Sequence, residues 1–222
     1  MEVHAPAKAS RLFALLFIST FTSVAAQGVV ESGDVRNILV TALAAASLLL
    51  ALRAAELSPR LFALAAAGAA AVVVLSLLRA FGADIGEGAT RTMNAALVAL
   101  APPAVVIAVV RDLRSSGQVR LEAVLGVLSL YMLIGMAFAF TYGAVDNFGD
   151  QAFFTDGNVA TVSNCLYFSF TTLTTVGYGD FAAATSLGHT LAVFEALIGQ
   201  IYLVTIVSLI VSNLGRPARR RA

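Results

Sequence analysis

Charge is scarce in this chain. Only 12% of its 222 residues are Asp, Glu, Lys or Arg, 59% are hydrophobic, and the mean hydropathy is +0.88. A soluble domain has no use for that much apolar surface, so the composition points to an integral membrane protein. Cysteine is nearly absent. The single Cys165 excludes an intrachain disulfide framework and reads as a small apolar filler. Two histidines, one cysteine and scattered carboxylates show no catalytic or metal-ligand spacing, so neither an enzyme nor a bound cofactor is expected. A formal net charge of +1 gives no sign of a charged partner, and no nucleic acid is expected.

What is present is a series of apolar stretches. The first covers 12–30, after Lys8 and Arg11. It reads either as a membrane helix or as a signal peptide with Val24-Ala25-Ala26 as its cleavage site. Further spans are expected at Ile38–Ala54, at Leu61–Leu78, at Met93–Val110 with Pro102-Pro103 inside it, at Leu121–Tyr142 and at Ser186–Leu214. The third is rich in Ala and Gly, which let helices approach closely in lipid. The proline pair should kink the fourth. A linker, Arg111–Arg120, contains Ser115-Ser116-Gly117, and a basic tail runs from Arg216 to Arg221. The expected division is a four-helix domain over 1–110, a cytoplasmic linker over 111–120, a last unit over 121–214 and the tail over 215–222.

Orientation follows from the basic residues. With the N-terminus inside, Lys8, Arg11, Arg53, Arg60, Arg111, Arg114, Arg120, Arg216, Arg219, Arg220 and Arg221 face the cytoplasm, and only Arg36, Arg79 and Arg91 lie outside. Both termini are then cytoplasmic. The tail suits either anionic lipid headgroups or a simple inside anchor.

Between the last two spans lies Thr174-Thr175-Val176-Gly177-Tyr178-Gly179-Asp180, preceded by Leu166-Tyr167-Phe168-Ser169-Phe170-Thr171-Thr172-Leu173. Thr175 to Gly179 resemble the filter of the potassium channels in the pore-loop cation channel superfamily. The close resemblance covers roughly residues 120–213. It implies an all-α membrane protein of six transmembrane helices, with a re-entrant pore helix and filter loop between the last two. It also implies a homotetramer in a plasma membrane, with potassium held at Thr175, Val176, Gly177 and Tyr178. The chemistry suits the residue types: backbone carbonyls replace the ion's water. Gly177 and Gly179 permit the alternating backbone that stacks those carbonyls. The resemblance pairs Tyr167 with Asp180 behind the filter, with Tyr where relatives often carry Trp. Asp146, Asp150, Asp156 and Asp180 either raise the cation concentration at a pore mouth or simply solvate the loop.

Six spans with the pore last resemble a voltage-gated layout, yet no Lys or Arg lies between Met93 and Val110. A sensor works by moving charge through the field, so none is expected here. Arg111 and Arg114 read as cytoplasmic anchors. In the last helix Gly199 stands twenty residues past Gly179. It matches the family's hinge position, or else serves close packing. On the family pattern Gln200, Leu203, Val207 and Val211 line the cavity. Glu195 is the sole ionisable residue deep in a span, and lies about 125° from that face. It is expected either to brace the filter through Ser169, Thr171, Thr172 or Tyr167, or to sit in an assembly contact. His189 reads as an interfacial histidine or one that titrates. No regulatory domain follows, so gating is expected from lipid, membrane force, the filter, pH or another protein. The alternatives are a non-selective cation channel, which the full Thr-Val-Gly-Tyr-Gly string argues against, and a non-conducting regulatory subunit.

Overall fold

Backbone groups at membrane depth find no water, so apolar runs of this length close their hydrogen bonds internally as helices. A computed structural model describes residues 6–29, 33–82, 87–116, 121–155 and 157–214. Among them the helices are α1 (Pro6–Val29), α2 (Asp34–Ala54), α3 (Pro59–Ala80), α4 (Glu87–Ser116), α5 (Leu121–Phe148), α6 (Val162–Leu173) and α7 (Ser186–Leu214). Asp156, the end of the linker at 117–120 and the tail over 215–222 lie outside the described residues.

The chain is a multi-pass membrane protein with five candidate spans among the described residues. They are at Arg11–Gly28, Asn37–Ala54, Pro59–Ala80, Val124–Phe148 and Ser186–Ile206. The expected fourth span lies inside α4, which continues beyond it at both ends. The helix assignment nonetheless runs unbroken through Pro102 and Pro103.

Packing follows the buried stripes. On α1 the residues Phe13, Leu16, Thr20, Ser23 and Gln27 are all buried, at alternating steps of three and four. Helix α1 lies against α2 and α5, and α4 lies against the same two, so these four close a ring; α3 joins mainly through α2. A glycine draws the ring tight. A Cβ at Gly126 would fall 2.7 Å from Phe13 and 3.1 Å from Val109, which is where α1, α4 and α5 converge. Hydroxyls tie the helices: Ser19 and Ser47 are 2.6 Å apart, and Ser76 donates to Thr41 at 3.3 Å. The Ala-rich third helix departs from expectation. Its spanning window is only 11% buried, so most of its small residues face outward.

At the C-terminal end of α2, Arg111 donates to the carbonyls of Ala55 and, at 3.1 Å, of Glu56. These close the C-terminus of α2, where a helix carries partial negative charge. Arg111 is therefore a clasp between α4 and α2.

Candidate functional site

Helix α6 is short and starts where its sequence allows. Thr161 accepts from the Asn164 amide at 3.1 Å, and Asn164 Nδ2 donates to the Val159 carbonyl at 2.8 Å. The helix stops at Leu173, and the chain turns back along its end. Thr175 N donates to the Thr172 carbonyl at 2.9 Å, and Val176 N and Gly177 N donate to the Thr171 carbonyl at 2.8 and 3.1 Å. Three successive N–H groups are thus spent on α6.

The backbone explains this one-sidedness. Thr175, Gly177 and Gly179 have φ of +58°, +51° and +81°, while Val176 and Tyr178 do not enter the positive region. Alternating right- and left-handed residues turns successive N–H groups to one side. The carbonyls are left for the other. Glycine takes positive φ without penalty, whereas Thr175 gives up about 1–2 kcal/mol there. The Thr175 hydroxyl accepts from Gln200 Nε2 at 3.1 Å, which fixes the inner end of the loop to α7. All residues from Thr175 to Asp180 are exposed in the single chain.

Behind the loop, Tyr167 Oη donates to Asp180 Oδ2 at 2.8 Å, and the Tyr167 and Tyr178 rings stack 6.3 Å apart at 9°. That hydrogen bond, more than burial, raises the Tyr167 phenol above its usual range, so the donor keeps its proton at neutral pH. Tyr167→Phe and Asp180→Asn are each expected to loosen this outer end and to speed inactivation while leaving assembly intact. Unchanged inactivation kinetics in both variants, recorded from single channels, would count against the bond.

A clasp seals the outer side. Thr155 N donates to the Ala182 carbonyl at 2.9 Å and Ala184 N to the Phe153 carbonyl at 2.8 Å. His189 Nε2 lies 2.8 Å from the Ala183 carbonyl. Phe153, Phe154 and Phe168 meet edge to face beneath it. Asp146 accepts from Phe153 N at 2.9 Å, so this carboxylate holds the loop in shape.

On the inner side, α7 passes so close to α6 that a Cβ at Gly199 would lie 2.2 Å from the Leu173 carbonyl oxygen. Helix α7 runs unbroken through this point. Gln200 and Leu203 are exposed on the open side; the side chains of Val207 and Val211 lie outside the described residues. Glu195 is fully buried and meets Tyr142 and Ser169. Of the four partners expected for it, only Ser169 bonds to the carboxyl. Tyr142 was missed, being 53 residues away on another helix. Two further links were also missed: Gln200 to Thr175, and Tyr131 Oη to the Leu173 carbonyl at 3.2 Å.

A row of carbonyl and hydroxyl oxygens suits a dehydrated cation. Two long helices flanking a half-helix and such a loop define the pore-loop class of ion channel. Residues 126–216 match the ion channel family model, so this part of the chain is an ion channel domain rather than an enzyme's. Over 103 residues, 46% of this chain, it is 29% identical to the calcium-activated potassium channel slowpoke of Drosophila melanogaster. That stretch is 8% of slowpoke, so the chain spans a small part of that relative's length. No solved structure is matched.

Proposed function

We propose that four copies of this chain enclose one potassium-selective pore, conducting passively across a plasma membrane. The observation that carries this is the loop's alternating backbone at Thr175, Gly177 and Gly179, with its N–H groups spent on α6. In this reading the carbonyls of Thr175, Val176, Gly177 and Tyr178 hold potassium. The Thr175 hydroxyl adds a lower ring, since accepting from Gln200 leaves it a further lone pair. A single chain supplies one wall, and a ring of carbonyls needs four. The largely uncovered α7, with Val193, Leu197, Ile201 and Val204 exposed, is the surface the other copies would cover. The name of the slowpoke relative supports potassium, at a distance.

Helix α4 counts as the sixth span in this reading. Its 30 residues reach about 45 Å, enough to cross. Both termini then face the cytoplasm, and the boundary between the first four helices and the pore unit falls in the 111–120 linker. Gly199 is read here as a packing position for the filter base rather than as a hinge. Purified protein in potassium-loaded liposomes should release potassium and retain sodium, and should run as a tetramer in native mass spectrometry. Conduction by a smaller species, or sodium release at the same rate, would contradict the reading.

A further inference from the structure

Glu195 sits behind the filter, wholly buried, where α5, α6 and α7 meet. Two oxygen–oxygen contacts reach its carboxyl, and a third extends from one of its partners. Tyr142 Oη of α5 lies 2.5 Å from Oε2. Ser169 Oγ of α6 lies against Oε1. The same Ser169 Oγ lies 2.7 Å from the Gly135 carbonyl of α5. Each contact needs one hydrogen between its oxygens.

Counting the hydrogens decides the wiring. A carbonyl can only accept, and tyrosine and serine each supply one hydrogen. Tyr142 serves Oε2. If Ser169 serves the Gly135 carbonyl, nothing is left for the Oε1 contact unless the carboxyl brings its own hydrogen. If Ser169 serves an ionised Glu195, its oxygen and the Gly135 carbonyl face each other at 2.7 Å with nothing between them. Only the neutral acid gives every contact a donor: Tyr142 to Oε2, Oε1–H to Ser169, and Ser169 to the Gly135 carbonyl. The other titratable groups near this cluster are Tyr131 of α5 and Cys165 of α6.

We propose that Glu195, as a neutral carboxylic acid, is the positioning residue that fixes α6, and with it the filter, against α5 and α7. The relay joins all three helices one turn above the place where Gly199 meets the end of α6. Since Ser169 stands two residues before Thr171, whose carbonyl receives the Val176 and Gly177 amides, a shift of α6 passes directly into the loop. The proposal rests on the potassium-pore reading for its effect on selectivity, but the protonation state is tested without it.

The experiment has two arms on the purified full-length protein. Infrared difference spectroscopy of wild type against Glu195→Gln should show the carbonyl stretch of a protonated carboxylic acid, present in wild type and absent from the variant. Carboxylate bands in its place overturn the relay, whatever the channel conducts. In bilayers, Glu195→Gln keeps a donor for Ser169 and an acceptor for Tyr142, and should hold the potassium-to-sodium permeability ratio of wild type. Glu195→Ala should lower that ratio by about tenfold while tetramers persist, and Ser169→Ala, which removes the middle of the relay, should lower it in the same direction. Wild-type selectivity in both alanine variants overturns the positioning role, as does failure of Glu195→Ala to form tetramers, which would make the residue an assembly contact. A wild-type protein that does not discriminate the ions, yet shows the acid band, would overturn the pore reading and leave the relay standing.

Discussion

Gly177→Ala is expected to abolish potassium selectivity while the protein still inserts and assembles. The reason lies in the backbone rather than in crowding. A Cβ at Gly177 meets nothing within 4 Å in the single chain, but φ there is +51°. An L-residue in that region costs about 1–2 kcal/mol per chain, or about 4–8 kcal/mol over the four copies proposed. Thr175 already carries such a cost at φ +58°, offset in part by the Gln200 amide on its hydroxyl. Alanine offers no such compensation, so the loop escapes by rotating the peptide and withdrawing a carbonyl from the row. Reversal potentials of the purified variant are the check. Values equal to wild type would mean that this loop does not select the ion.

Gly199→Ala should have the second largest effect, and its sign separates two roles. As a hinge, the position would gain helix stability on becoming alanine, by about 1 kcal/mol, and only the open probability would change. The geometry gives a different result. The new methyl would lie 2.2 Å from the Leu173 carbonyl oxygen and 3.0 Å from Leu173 Cδ1. Backbone cannot swing aside as a flexible side chain can, and overpacking costs about 1–3 kcal/mol. The end of α6 must shift, and Tyr131, which donates to that same carbonyl, loses its alignment. The expected outcome is a less heat-stable tetramer with broken filter function. A tetramer at least as stable as wild type, altered only in open probability, would restore the hinge.

The half-helix and the turn after it were legible because their determinants are local. The two glycines mark left-handed positions and Ser186–Leu214 is one apolar run, whereas the Thr161 cap that starts α6 was not read. The five long spans were legible for the same reason: each is an uninterrupted apolar window. The fourth was legible too, as Met93–Val110, although α4 extends further, from Glu87 to Ser116. Contacts between distant helices were mostly invisible. A buried carboxyl in α7 demanded polar partners, and Ser169 was within reach of reasoning from depth. Tyr142 was not, since nothing in the sequence says which face of α5 turns toward α7. Its hydroxyl did not stand out, since Ser129, Tyr131 and Thr141 lie on the same helix. Arg111 shows the same limit. Its charge was read only as an anchor, and only the fold shows it closing α2.

The central claim is that this loop selects potassium. The most direct measurement is the reversal potential of the purified wild-type protein in a bilayer with potassium on one side and sodium on the other, repeated as the potassium ratio is varied. The account predicts a potential that follows the potassium gradient, by about 59 mV for each tenfold ratio. A potential that stays near zero under opposed potassium and sodium, with current flowing, would contradict it.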